Sequence, residues 1–266
     1  MKKRVKPTDN ISASDGAQYS VALVRGLMIL RTFKPEDDYL SNQDFIERTG
    51  LPKATISRLT FTLVSLGYLI YDESSGRYRI GPATIALGYS GLSNHPVIMI
   101  AKPLMQKLAD DTNTTVAVGI RDGMEMLYLM ACRSMSLVTT RVSAGSRLPL
   151  WRSAMGLAYV AGADRPTQKA IVDQLLIMEP ENASKILKLV NSAVSHYERN
   201  GFIVNFGHWF PHLNTVGASY EPLDGSATLS FTCGTITTIA TEEVCQNTLG
   251  PSLVEMLKEI DRTLRS

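Results

Sequence analysis

Few residues in the 266-residue chain have the types and spacing that chemistry needs. His208 and His212 stand four apart, as a helical metal pair would, but Pro211 between them breaks such a helix and no Glu-flanked motif surrounds them. Cys132, Cys233 and Cys245 are odd in number and widely separated, which argues against a disulfide framework or a Cys-x-x-Cys site. No Gly-x-Ser-x-Gly elbow, phosphate-binding loop or dinucleotide fingerprint occurs, so no catalytic residue, metal or cofactor is expected. Residues 53–58 carry a different chemistry, that of recognition. Arg58 can fork onto a guanine or a phosphate, Thr55 and Ser57 can donate hydroxyls to phosphates or base edges, and Lys53 adds charge.

Those side chains need a helix that turns them outward. Ile56, Leu59, Leu63 and Leu66 recur at spacings of three and four and predict a buried stripe, which leaves Ala54, Ser57, Arg58, Phe61 and Ser65 on the far side. Gly50 suits a left-handed helix end and Pro52 the first position of a new helix, so the two mark the turn of a helix-turn-helix. Ser20 is the expected cap of a first helix over 21–33, which Pro35 stops. Ser41, with Asp44 three residues on, opens the positioning helix that carries Phe45 and Ile46. Strands at 67–71 and 77–80 complete a winged helix-turn-helix, with Arg77 and Arg79 on one side for phosphates or a minor groove. Without the family resemblance given below, an ordinary helical hairpin with surface arginines stands as the alternative.

Composition narrows the class. With 44% hydrophobic and 20% charged residues and no apolar run of membrane-spanning length, the chain reads as globular. The first 80 residues hold 12 Lys and Arg against 9 Asp and Glu, the remainder 15 against 16, a mild basic bias that fits a nucleic-acid partner at the N-terminal end. Residues 1–18 read as a disordered basic arm. Lys2, Lys3 and Arg4 precede a polar stretch rather than an apolar signal core, so a cytoplasmic location with no membrane partner is expected. Residues 82–92 predict a linking helix, 97–109 a strong amphipathic helix, and 114–120 and 126–131 two strands about Asp122-Gly123. A strand at 137–142, a turn at 144–146, helices at 153–162, 168–177 and 183–199, strands at 216–220 and 227–233 and a long helix at 242–264 follow. That order implies a mixed α/β domain with helices flanking an antiparallel sheet.

The motifs Ser20-Val-Ala-Leu-Val-Arg-Gly-Leu-Met-Ile-Leu30, Thr49-Gly-Leu-Pro-Lys-Ala-Thr-Ile-Ser-Arg-Leu59, Gly67-Tyr68 and Gly76-Arg-Tyr-Arg-Ile-Gly81 closely resemble the DNA-binding domain of the IclR family of bacterial transcriptional regulators. Ala144-Gly-Ser-Arg-Leu-Pro-Leu150, Ser153-Ala-Met-Gly156 and Gly201-Phe-Ile-Val-Asn205 match its effector domain, so the resemblance covers nearly everything after residue 18. It implies a winged helix-turn-helix at 19–81, a linking helix at 82–95 and a GAF-like α/β effector-binding and oligomerisation domain at 96–266. Its implied partners are a partly palindromic operator, a small-molecule effector and further copies of the chain, as a homodimer or a dimer of dimers. One recognition helix reads few base pairs, which gives dimerisation a physical motive. The expected DNA-contacting residues are Lys53, Thr55, Ser57, Arg58, Phe61, Arg77 and Arg79; at Phe61, where the family more often has a polar residue, a thymine methyl, the wing and the neighbouring subunit are all open as partners.

By resemblance, the effector site draws on Leu148, Trp151, Ser153, Met155, Asn205, His208, Thr215, Phe231 and Cys233. The family often has Asp at the position of Asn205, Glu at His208, Cys at Thr215 and Ser at Phe231 and Cys233, and this chain departs at each. With Phe231 in a polar place and Trp151 and Trp209 nearby, a more apolar pocket is expected, suited to an aromatic or hydrophobic organic acid. Arg133, Arg141, Arg147 and Arg152 are candidates for pairing with its carboxylate. The expected function is ligand-responsive transcriptional regulation of a catabolic operon. A ligand-independent DNA-binding protein and an enzyme with a small-molecule site in the C-terminal domain stand as the alternatives.

Overall fold

A computed structural model describes residues 19–93, 95–135 and 143–265. The expected arm at 1–18, the strand at 137–142 and Arg141 lie outside the described residues. Two compact units divide the chain, Met1–His95 and Pro96–Ser266.

The first unit is built from α1 (Val21–Arg31), α2 (Asn42–Thr49), α3 (Lys53–Ser65), the hairpin β1 (Leu69–Asp72) and β2 (Arg77–Ile80), and α4 (Pro82–Ser93). Ser41 and Asp44 form a reciprocal capping box at the start of α2, and Gly50 ends that helix with φ +69°. Pro52 sits one position earlier than expected, as the N-cap of α3, where its missing N–H costs nothing. Ile29, Phe45, Ile56, Leu63, Leu69 and Tyr78 meet in one core. Tyr78 carries the wing into that core. Its backbone exchanges two hydrogen bonds with Leu40, just before α2, and its ring stacks at an angle on Phe45. Leu66 departs from the expected stripe: it caps the C-terminus of α3 and is 62% exposed.

The second unit is a six-stranded antiparallel sheet in the order β5-β4-β3-β8-β7-β6. Its strands are β3 (Thr115–Asp122), β4 (Glu125–Arg133), β5 (Arg147–Pro149), β6 (Ile203–Phe206), β7 (Leu213–Tyr220) and β8 (Leu229–Ile236). On one face lie α5 (Pro96–Thr112) and α10 (Gly250–Arg265); on the other lies α6 (Ala154–Gly162), backed by α7 (Arg165–Met178) and α8 (Ala183–Asn200). The strand β5 carries too few residues to show an alternation of its own, whereas burial alternates along β6. The long C-terminal helix expected over 242–264 is interrupted: α9 (Glu242–Val244) passes through a wide π-turn, Cys245–Leu249, before α10 begins. Gly250 opens α10 against the ring of Phe202, where a Cβ would come within 2.1 Å.

The capping box ties stability to pH. The backbone N–H of Ser41, and next its hydroxyl, hold the Asp44 carboxyl below its ordinary 3.8. A lowered folded pKa gives stability that is fully present above pH 3.8 and is lost as pH falls through the lowered value. Ser41→Ala is expected to reduce the unfolding free energy by about 1 kcal/mol at pH 7. Denaturant titration from pH 7 to pH 3 checks it, with the difference shrinking as Asp44 protonates.

Candidate functional site

Two surfaces carry the functional side chains, one in each unit. On α3, Ile56 is fully buried and Leu63 nearly so, which fixes the rotation of the helix. Lys53, Ala54, Ser57, Arg58 and Phe61 are consequently exposed, and Thr55 is half-buried. Phe61 is 74% exposed, so its ring is not packed on the wing. Along β2 the exposure alternates, placing Arg77 and Arg79 outward around buried Tyr78. Side-chain oxygens of Asp72 accept from Ser74 and Ser75 and shape the turn at the wing tip. Together these residues make a convex face with four cations and several hydroxyls. Its form suits a groove of double-stranded DNA.

Behind that face, α1, α3 and α4 enclose an open groove of about 760 Å³ lined by Leu23, Leu27, Leu30, Leu59, Leu66 and Leu87. No residue of α4 is buried, although Ile85, Leu87 and Tyr89 are 64%, 67% and 71% exposed apolar side chains.

In the second unit, a small cavity of about 70 Å³ lies between the sheet and the N-terminus of α6. Glycines allow that approach. A Cβ on Gly217 would come 2.8 Å from the Ala154 carbonyl, and one on Gly119 would come 2.3 Å from Met155 Sδ. Ser153 caps α6, its hydroxyl donating to the Pro149 carbonyl at 2.8 Å and accepting from the Gly156 N–H at 3.0 Å. As the first residues of the helix, Ala154 and Met155 present backbone N–H groups that no intrahelical carbonyl can reach, and both residues line the cavity. The floor is made of hydroxyls, those of Thr115, Thr215 and Thr232. Tyr128 joins them: burial pushes its phenol up to about 12, opposed by a hydrogen bond with Thr232, so it remains a donor at neutral pH. Leu148, Trp209, Phe210 and Leu213 close the walls.

Of the nine residues expected at the effector site, Leu148, Ser153, Met155, Asn205 and Thr215 line this cavity. Asn205 spends its amide on bracing, donating to the Arg152 carbonyl at 2.8 Å and accepting from the His208 N–H at 3.2 Å. Trp151 and His208 lie in a neighbouring cleft with Arg152, Lys185 and Lys188. Desolvation first, and then the charge of Lys188, hold the His208 imidazole below 6.5. Phe231 and Cys233 need correcting. Both are fully buried on the opposite face of β8, Phe231 edge-on to Tyr220 and Cys233 against the Thr114 hydroxyl at 3.2 Å. Burial lifts the Cys233 thiol to about 11, so it is unreactive. Strand alternation gives their expected places to Thr232 and Gly234.

The register Gly217↔Thr232 and Ala117↔Thr232 puts Thr232 among the neutral donors, beside Thr115 and Thr215 on the adjacent strands β3 and β7, a grouping that only the pairing reveals. Among the arginines, Arg147 is occupied by Asp122 and Glu125, and Arg152 lies over the rings of Trp209 and Trp151. Among the described residues, no group of three or more His, Cys, Asp or Glu could hold a metal ion, and no helix is long and apolar enough to cross a membrane.

Comparison with known proteins matches both units. Residues 22–73 match the IclR helix-turn-helix domain and residues 89–181 the C-terminal domain of the bacterial transcriptional regulator IclR. The HTH-type transcriptional regulator TsaQ1/TsaQ2 of Comamonas testosteroni is 30% identical over 268 residues, spanning 100% of this chain and 96% of that protein. A crystal structure of an IclR family transcriptional regulator from Brucella abortus is 36% identical with a TM-score of 0.84, covering 97% of this chain and 99% of that one. A Microbacterium hydrocarbonoxydans IclR homologue crystallised with 4-hydroxybenzoate shares the fold at 20% identity and a TM-score of 0.67, covering 90% of this chain and 95% of its own.

Proposed function

Because the chain belongs to the IclR family, whose members are transcriptional regulators with a DNA-binding helix-turn-helix and a C-terminal effector domain, we propose that it is a cytoplasmic, ligand-responsive regulator of a catabolic operon. Its effector is a compact aromatic or hydrophobic organic acid. The single observation that carries this reading is the cavity under α6, where hydroxyls and two helix N-terminal amides face aromatic and aliphatic walls. A carboxylate accepts from neutral donors at a helix N-terminus, and a ring or short chain fills the apolar side. The free volume of about 70 Å³ is below the roughly 150 Å³ that admits a benzene ring, so the ligand is at most one ring and enters only as a wall gives way. That the same fold holds 4-hydroxybenzoate in the Microbacterium protein supports the size class.

Operator contact falls to the exposed residues of α3 and the wing: Arg58 and Ser57 to base edges, Phe61 to a thymine methyl, and Lys53, Thr55, Arg77 and Arg79 to phosphates or a minor groove. An apolar α4 with no buried residue beside an apolar groove favours a second copy of the chain as its cover, giving a dimer on a partly palindromic operator. The ligand-independent alternative leaves a cavity of convergent donors without use.

Arg58→Ala is expected to weaken operator binding by about 1–3 kcal/mol, roughly 5- to 150-fold, with the fold intact by circular dichroism. Anisotropy titration at fixed salt checks this, and an unchanged affinity removes α3 from the interface. For the effector, isothermal calorimetry is expected to find benzoate or 4-hydroxybenzoate binding more tightly than glyoxylate or pyruvate. The reverse order contradicts the aromatic assignment.

A further inference from the structure

Trp151 and Trp209 are the only tryptophans in the chain, and they flank one cation. The Arg152 guanidinium lies 5.6 Å from the Trp151 ring and 4.7 Å from that of Trp209. Their polar ends differ. Trp151 Nε1 donates to Glu179 Oε1 at 3.0 Å, whereas Trp209 Nε1 is buried with no acceptor. An indole N–H can only donate, and the cation on its ring, Arg152, has nothing to accept with. Leaving such a donor buried carries its full desolvation cost, which native structures seldom bear without an acceptor arriving from elsewhere.

The position of Trp209 supplies the elsewhere. It is a wall of the cavity under α6, on the six-residue loop 207–212 that joins β6 to β7. Asn205 pins that loop at its start to the Arg152 carbonyl and the His208 N–H, and Leu213 closes its end through backbone bonds with Gly207 and Phe210. Between those pins the Trp209 side chain is held by ring contacts, to Phe210 at 5.2 Å and to Arg152. A void that admits a benzene ring is about 150 Å³, twice the free volume present, so a wall has to move before an aromatic acid enters.

We infer that Trp209 is that movable wall, and that in the bound state its indole N–H donates to an oxygen of the acid held under α6. The inference rests on the effector reading above and adds a specificity-determining residue to it: the acid must present an oxygen to the aromatic wall as well as to the helix terminus. Arg152, stacked on the indole face, keeps the ring in place without competing for the N–H, because it has no acceptor of its own.

The two tryptophans make the test direct. In full-length ¹⁵N-labelled protein, the Trp151 indole serves as an internal reference that is already hydrogen-bonded. On adding benzoate, and separately pyruvate, the Trp209 indole proton is expected to move downfield with the Ala154 and Met155 amides while Trp151 stays in place. Trp209→Phe is expected to bind the same acid about tenfold more weakly, the effect of losing one hydrogen bond. Phenylalanine keeps an aromatic ring against Phe210 and Arg152, and circular dichroism at the titration temperature checks that the variant is folded. Ala154 and Met155 shifting with an unmoved Trp209, or wild-type affinity in Trp209→Phe, overturns the inference and leaves the pocket reading standing. No shift at any of the three with either acid overturns both.

Discussion

The effector unit depends on how closely one helix can lie on one sheet. Gly119 and Gly217 lack the side chains that would strike Met155 and Ala154, and Gly156 lacks the Cβ that would come within 2.1 Å of the Leu150 carbonyl. Gly119 and Gly217 let the N-terminus of α6 come down onto the strands themselves, and Gly156 lets the preceding turn fold against the helix. The gap that remains is too small for a packed core and is lined by Thr115, Thr215 and Thr232. Buried hydroxyls and unpaired amides are poor core material, since each is worth little unless it finds a partner. In the proposed function a small acid is that partner, and the constraint that closes the sheet against α6 then bears on the size and chemistry of what binds.

In the DNA-binding unit, burial is used to aim rather than to enclose. Ile56 and Leu63 fix α3, the capping box fixes α2, and the Leu40–Tyr78 bridge fixes the wing, so that Arg58, Phe61, Arg77 and Arg79 are exposed. A surface ion pair, Arg48 with Asp37, ties the end of α2 to the loop before it. Pairs of this exposure add little energy, and their use is geometric. The effector acts on this unit only through its different affinity for the arrangements that do and do not fit the operator, a coupling of about 1–3 kcal/mol in proteins that work this way.

How much was legible in the sequence follows from the range of the forces. Ser41, Asp44 and Gly50 act within a few residues, and each holds the place its type predicts. Leu66 broke the apolar stripe because a helix end, not a period, decides what a C-capping residue faces. On β8 the alternation of Leu229 to Gly234 is plain, but which half faces α6 is set by pairing with β3 and β7, far away in the chain; Phe231 and Cys233 were therefore assigned to the wrong face. The need for a glycine at position 250 has the same origin, since it is set by the ring of Phe202, far away in the chain. The orphan N–H of Trp209 has no sequence signature at all: it is defined by neighbours that cannot accept.

The central claim is that an acid lodged beneath α6 changes how the helix-turn-helix holds DNA, and an operator titration tests it most directly. Full-length protein is titrated onto a labelled operator fragment selected with that protein, with and without saturating benzoate, beside Thr232→Val, which keeps the shape of the floor and removes one hydroxyl. The account predicts an affinity change of about 5- to 150-fold for the natural sequence and a smaller one for Thr232→Val at the same benzoate concentration. Operator affinity that stays constant while calorimetry reports the acid bound would contradict it.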